Sequence, residues 1–242
     1  MKISSRFIVF LTFTVAVITI TTPLSCQHAN EDHWTAKRAK LVNGLAKKGI
    51  TDKMVLNAMM TVPRHEFVPK NQRSASYVDH PLPIGHGQTI SQPYIVAYMC
   101  QALKLTGNEK VLEIGTGSGY HAAVISLLSK AVYTIEIIPE LGHTAAKLLD
   151  ELEYFNVKVK VGDGYQGWQE FAPFDAVILT AAPPQIPQPL LDQLNVGGKL
   201  LAPVGVGWQK LVLVERTMDG FEETELLPVV FVPMTGEAQQ KR

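Results

Sequence analysis

VLEIGTGSGY, residues Val111 to Tyr120, decides the fold. Val111, Leu112 and Ile114 make a short apolar run fit for a strand buried in a parallel sheet. Gly115, Gly117 and Gly119 follow at alternate positions, and a helix-like segment, HAAVISLLSK, comes next. Glycines at a strand-to-helix turn allow positive φ and close approach of a ligand to the backbone. Two carboxylates stand near this turn, Glu113 inside the strand and Glu136 at the end of the next apolar run, VYTIE. An acid 21 positions after Gly115 is spaced to accept hydrogen bonds from the two hydroxyls of a ribose. The pattern predicts a nucleoside-cofactor site.

The glycine spacing narrows the cofactor. Dinucleotide folds space their glycines G-x-G-x-x-G and present amides to a pyrophosphate. Here the spacing is G-x-G-x-G, with Glu113 expected to point into the same turn. That arrangement suits a ligand without phosphates that carries positive charge, and S-adenosyl-L-methionine matches it. A nicotinamide oxidoreductase is disfavoured by the same spacing.

Outward from the turn, apolar runs alternate with helical patterns. VLEI precedes a helix near His121 to Ser129, and VYTIE precedes one from Pro139 to Leu152. VKVKV, the AVILT run, a short helix about Pro189 to Leu194 and KLLAPV follow. Such alternation predicts βαβ units, an α/β doubly wound, mostly parallel sheet with helices on both faces. The tail segments KLVLVERT and ELLPVVFVPM read as strands without a helix between them. Towards the N-terminus, Trp34 to Lys48 and Thr51 to Met60 read as helices, with Gly49 as a stop and Thr51 or Asp52 as a cap. Pro63 to Pro93 reads as irregular and too polar for a core, and long segments of that kind are usually functional.

The chain resembles the protein-L-isoaspartate O-methyltransferases, bacterial members most closely, from about Lys37 to the C-terminus. The most specific match is PLPIGHGQTISQP (Pro81 to Pro93). VPRHEFVP (Val62 to Pro69), GDGYQGW (Gly162 to Trp168), PFDAVILTAAPPQIP (Pro173 to Pro187) and GGKLLAPVG (Gly197 to Gly205) add to it in order. The resemblance implies a seven-stranded, Rossmann-like methyltransferase fold. It implies methyl transfer from S-adenosyl-L-methionine to the α-carboxylate of L-isoaspartyl residues in damaged proteins, which starts their repair.

Ligands of open α/β sheets bind outside the carboxyl ends of the strands. Gly115, Thr116, Gly117 and Gly119 are thus expected at the methionine end of the cofactor, with Glu113 beside them. Glu136, with Ile137 next to it, is placed for the ribose. Asp163 and Gly164 are placed for the adenine, and Thr180 lies near the transferring methyl. The family resemblance adds Thr89, Ile90, Ser91 and Gln92 of the TISQ loop, and the late Thr235 and Gln240. A family contact that is histidine in animal members is Val96 here and is not carried over. Asp163 also reads as a simple turn residue, and Ser91 as the N-cap of the helix that begins near Pro93.

The acceptor chemistry has its own trace. After the fourth strand stands TAAPP, with no acid, amide or aromatic to activate an amine. A carboxylate acceptor, with a pKa around 4, needs no general base. Ser91 is expected to orient it.

The 242 residues are 46% hydrophobic and 18% charged, with 22 basic residues against 22 acidic ones. That composition fits one catalytic domain over 26–242, made of a helical and loop region (34–93) and a cofactor-binding sheet (94–242). Balanced charge without a basic run argues against a nucleic-acid binder. No His/Cys cluster has metal-ligand spacing, and Cys100 is expected to be a buried small hydrophobe. A monomer is expected. Residues 1–25 are of another kind: Lys2 and Arg6 precede the apolar heart FIVFLTFTVAVITI, as in an export signal. Lipidation at Cys26, ordinary cleavage nearby and a retained anchor all fit, and the resulting location is the periplasm or its membrane face, or the cytoplasm if the leader does not function. The rival readings are another S-adenosylmethionine enzyme and an exported protein that keeps the fold without catalysis.

Overall fold

The computed structural model describes residues 24–240, with side chains from residue 33 onward. Residues 1–23 of the expected 1–25 leader and the Cys26 side chain therefore lie outside the described residues. Among those described, no helix is long and apolar enough to cross a membrane.

Helix α1 (Leu24–Lys47) starts ten residues before the expected Trp34 and stops at Gly49, whose φ is +97°. Helix α2 (Lys53–Thr61) begins where Asp52 caps it, the carboxylate accepting from the amides of Met54 and Val55. After the hairpin β1 (Leu82–Gly85) and β2 (Gln88–Ile90) comes α3 (Pro93–Leu103).

The alternating part follows in order: β3 (Lys110–Ile114), α4 (Tyr120–Ser126), β4 (Ala131–Glu136), α5 (Pro139–Glu151), β5 (Val157–Val161), β6 (Phe174–Leu179), α6 (Gln188–Asp192) and β7 (Leu194–Val204). Then β8 (Gln209–Arg216), β9 (Phe221–Val229) and the short α7 (Glu237–Gln240) close the described chain. Among the described residues the main sheet has seven strands in the order β5-β4-β3-β6-β7-β8-β9. The strands β3 to β7 pair in parallel, and β8 and β9 add antiparallel pairs, as expected. This is the Rossmann-like methyltransferase sheet. The chain order reverses beside β3, so a crevice opens at its C-terminal end.

Side-chain alternation splits the core. Val111 faces a layer built from α1 to α4, whereas Leu112 and Ile114 face a second layer with Phe174, Leu190 and Leu200. Both faces are covered, which is why the β3 run is apolar without a break except at Glu113.

Two expectations need correction. The segment from Pro63 to Pro93 is not structureless: it holds helical turns at Arg64–Phe67 and Lys70–Ala75 and the β1–β2 hairpin. It also contributes to the core through Phe67, Val68, Tyr77, Leu82 and Ile90, with Arg64 and His65 buried among them. The final strand begins earlier than ELLPVVFVPM and ends at Val229. Pro228 sits on the edge strand β9, opposite Lys210 and beside a register shift in the β8–β9 pairing, the kind of place where a sheet tolerates proline. Beyond it the chain leaves the sheet and returns along Ala182, with Ala182 N donating to Val232 O and Met234 N to Ala182 O, each at 2.8 Å.

Candidate active site

The glycine turn after β3 is shaped by contacts that only glycine allows. Gly115 has φ of +100°, and a Cβ there would run into Oγ1 of Thr180. The same hydroxyl donates to the carbonyls of Ile114 (3.1 Å) and Gly115 (2.6 Å), tying β6 to the turn. Gly117 donates its N–H to Oε2 of Glu136 at 2.7 Å, while Ile138 N–H reaches Oε1 at 2.9 Å. Glu136 is thereby fixed at the end of β4 with 5% exposure.

The crevice beside this turn is narrow, about 90 Å³, and opens to solvent. Of the residues expected there, Thr89, Ile90, Ser91, Gly115, Thr116, Gly117, Glu136, Ile137, Asp163, Gly164, Thr180 and Thr235 line it. Val96 lines it too, at the position where animal relatives were expected to differ. Asp163 is both a cleft residue and a turn residue. One oxygen accepts from Tyr165 N–H (2.9 Å) and the other from Glu237 N–H (2.8 Å), which draws Thr235 into the wall.

Four expected residues are placed elsewhere. Gly119 faces away: a Cβ there would meet Leu149 at 3.2 Å and Ala145 at 3.4 Å, so its role is close packing of α4 on α5. Gln92 is turned to the Asp79 carbonyl (3.0 Å). Gln240 is an exposed residue at the end of α7. Glu113 does not point into the turn. Strand alternation sends it to the α4 face with Val111, fully buried, where Thr134 Oγ1 donates to it at 2.6 Å. Nor does Ser91 cap α3: Gln92 is the capping residue and no side chain caps.

The Glu113 pocket is a buried polar cluster at the base of the cleft, which His121 also lines. Its free oxygen lies 3.8 Å from Nδ1 of His121, and neither atom has a hydrogen-bond partner among the described residues. Burial pushes the Glu113 carboxyl up to about 8, with the nearby Glu136 charge adding to the rise against the Thr134 bond. Burial drives His121 down to about 3, so both groups are neutral near pH 7. On the far side, His121 Nε2 is 3.5 Å from the Cys100 thiol, which is fully buried and held protonated by desolvation. Cys100 is the buried small residue expected of it.

Sequence reasoning missed Arg64, the residue that positions the TISQ loop. Its guanidinium is fully buried, donating to Ser91 O (2.8 Å) and Ser76 O (2.9 Å) and lying 4.7 Å over the Tyr120 ring. The available signal was a charged residue inside the apolar, proline-flanked VPRHEFVP. His121 and Tyr120 were also missed as cleft residues, although helix geometry places the first turn of α4 at the glycine loop.

The donor set tests which cofactor fits. The cleft carries the carboxylates of Glu136 and Asp163 and no lysine or arginine. A pyrophosphate would find no cation there, whereas a sulfonium and an ammonium would meet complementary charge. A second groove continues from the cleft and shares Thr89, Ser91 and Thr180 with it. It runs on past Ile95, Trp208 and Val230, and no acid, base or thiol lines it.

A seven-stranded sheet with an acidic, phosphate-averse crevice at its switch point, opening onto a second groove, defines an S-adenosylmethionine-dependent methyltransferase. Residues 36–239 match the family described as protein-L-isoaspartate(D-aspartate) O-methyltransferase. The chain is 53% identical over 199 residues to the protein-L-isoaspartate O-methyltransferase of Gloeobacter violaceus, covering 81% of this chain and 97% of that one. It is 53% identical over 211 residues to protein-L-isoaspartate O-methyltransferase 2 of Shewanella sediminis, covering 86% of each. Among solved structures, a protein-L-isoaspartate O-methyltransferase superposes with a TM-score of 0.77 at 29% identity, over 83% of this chain and 67% of that one. A Plasmodium falciparum beta-aspartate methyltransferase, solved with S-adenosyl-L-homocysteine, gives 0.72 at 26% identity, over 82% and 98%. The chain belongs to the protein-L-isoaspartate O-methyltransferase family.

Proposed function

We propose that this protein transfers a methyl group from S-adenosyl-L-methionine to the α-carboxylate of L-isoaspartyl residues in damaged proteins and peptides, the first step of their repair. The observation that carries the carboxylate assignment is the acceptor groove, which reaches Ser91 without a single titratable side chain. An amine or alcohol would need a base there. A carboxylate arrives already ionised.

When bound, the cofactor supplies a methyl group on a positively charged sulfur, a leaving group that needs no proton. The chain's own residues do the rest. Glu136, already held by the amides of Gly117 and Ile138, presents acceptors for the ribose hydroxyls. Gly115 to Gly117 offer unobstructed backbone, and Asp163 with Gly164 flanks the adenine end. Ser91 stands where cleft and groove meet and donates a hydrogen bond to the acceptor, orienting it for in-line attack. Arg64 fixes Ser91 through its carbonyl and touches no substrate.

The test is methyl incorporation into an isoaspartyl peptide and its aspartyl counterpart. The isoaspartyl peptide should be esterified and the counterpart left almost untouched. Ser91→Ala should lower turnover by less than the roughly hundredfold typical of a lost oxyanion donor, because the carboxylate's charge falls as the methyl arrives. Equal methylation of the two peptides would overturn the assignment.

The exported location is a second element of the reading, supported by Lys2, Arg6, the apolar heart and Cys26. Export is compatible with attachment through a lipid on Cys26, with attachment through a retained leader, and with release after ordinary cleavage, and the enzyme is read as a monomer. A reporter active only outside the cytosol, fused after Arg242, should be active. Full-length protein recovered in the cytosol would refute export.

A further inference from the structure

Trp208 is the large apolar residue that the fold leaves most conspicuously unused. It sits on the turn between β7 and β8 with 74% of its surface exposed. Among the described residues it has no ring or cation partner, unlike Trp34 on His65 or Trp168 on Phe171. The turn is built to present it. Gly205 has φ of +131° with its open face against the Trp208 carbonyl, and Gly207 has φ of +78°. Behind it the chain is rigid. Gly205 N–H donates to Pro183 O (3.0 Å), and the Gln209 amide clasps Phe231 in both directions, at 3.0 and 2.6 Å.

That clasp brings Val230, 95% exposed, to the same groove. Other exposed apolar residues, such as Phe155 and Met218, line neither the cleft nor the groove. Trp208 and Val230 line the same groove as Ser91 and Thr180, the proposed point of methyl transfer. Exposed apolar surface gathered in one groove marks a binding surface rather than scattered surface composition. Its occupant is set by that shared lining: a peptide whose isoaspartyl carboxylate reaches Ser91 must run its neighbouring residue along the groove. The groove has no charge, so a charged neighbour would lose hydration without gaining a partner.

We propose that Trp208 and Val230 form a specificity subsite for an aromatic or branched aliphatic side chain flanking the isoaspartyl residue. The enzyme thereby ranks damaged sites by their sequence context. This rests on the isoaspartyl reading given above.

The experiment is a series of isoaspartyl peptides in which the residue before, and separately the residue after, the isoaspartate is Ala, Leu, Phe or Glu. At one of the two positions Phe or Leu should exceed Ala by about tenfold in kcat/KM, carried by KM, with Glu lowest. Trp208→Ala should bring the Phe-to-Ala ratio to about one, and Trp208→Phe should restore most of it. Binding of the Phe peptide should also shift the intrinsic tryptophan fluorescence of the wild type and not of Trp208→Phe. If Trp208→Ala does not fold, Trp208→Gln takes its place. A flat series in the wild type, or an aromatic advantage that survives removal of Trp208, overturns the subsite and leaves the isoaspartyl reading standing. If no isoaspartyl peptide is methylated, that reading falls and the subsite with it.

Discussion

The two walls of the active cleft are held in opposite ways. The cofactor wall is made of backbone at strand ends. Gly115 N–H donates to Ile135 O (2.8 Å), Thr180 N–H to Ile114 O (2.9 Å), and Glu136 collects the amides that follow. On the acceptor side, Ser91 stands on the short loop between β2 and α3 and not at a strand end of the main sheet. Ser91 is held by the buried guanidinium of Arg64, while Asp79 receives Tyr94 N–H at 2.8 Å and, through its carbonyl, the Gln92 amide. A wall of backbone is sensitive to an added Cβ, and a wall hung on one cation is sensitive to the loss of that side chain.

The largest effect should come from Gly115→Ala. It imposes φ of +100° on an L-residue and drives a methyl into Thr180 Oγ1, so the two ties from Thr180 to the turn are lost. Calorimetry should find S-adenosylhomocysteine affinity reduced by roughly a hundredfold or more. Gly107→Ala is the matched control: φ is again +100°, yet nothing lies within 4 Å of the new methyl. It should cost stability and leave affinity alone. If both variants bind equally well, the cofactor wall does not depend on that close approach.

Arg64→Met comes next. It removes two hydrogen bonds from a charged donor, each worth about 1.5–3 kcal/mol, and the apolar replacement returns part of that by filling the space. Stability should fall by roughly 2–4 kcal/mol in urea melts. The kcat/KM for an isoaspartyl peptide should drop by more than that of Ser91→Ala, while S-adenosylhomocysteine affinity stays within about threefold. An equal collapse of cofactor affinity would mean that the walls are one cooperative unit.

The same contrast explains what could be read from residues alone. The strands were legible because burial on both faces writes a continuous apolar run, as in VLEI and AVILT. Glu136 and Thr180 were legible because they terminate such runs, and Asp163 because it follows the alternating VKVKV strand in a glycine-flanked turn. Arg64 was not, since its partners Ser76 and Ser91 lie 12 and 27 residues away and no periodicity encodes them. The segment around it looked too polar for a core because Arg64 and His65 are buried against partners the sequence does not announce. Glu113 is a different failure. Its period-2 alternation with Val111 was there to be read and sends it under the cleft, but proximity to the glycines suggested a ligand. Gly119 failed in the same manner, since a packing glycine and a ligand glycine look alike until α5 is in place.

Glu113 gives the smallest of the three effects, and it sharpens what lies beneath the cofactor wall. Its folded pKa of about 8 exceeds the ordinary carboxylate value of 4.5, so the folded chain keeps a proton that the unfolded chain releases. The stabilising influence of that proton is complete below about 4.5 and drains away as pH rises to 8. His121 works the other way: its folded value near 3 lies below the ordinary 6.5, so stability is lost as pH falls from 6.5 towards 3. Between 4.5 and 6.5 the two slopes oppose and the pair contributes a plateau. From pH 6.5 to 8 only Glu113 acts, and one proton over that interval is worth about 2 kcal/mol. Urea melts of the wild type without cofactor should show that alkaline loss. Glu113→Gln keeps an acceptor for Thr134 and offers an N–H to His121, and it should remove the loss while preserving the acid-side fall. An alkaline loss of the same size in Glu113→Gln would assign the slope to another group and leave Glu113 ionised in the folded chain.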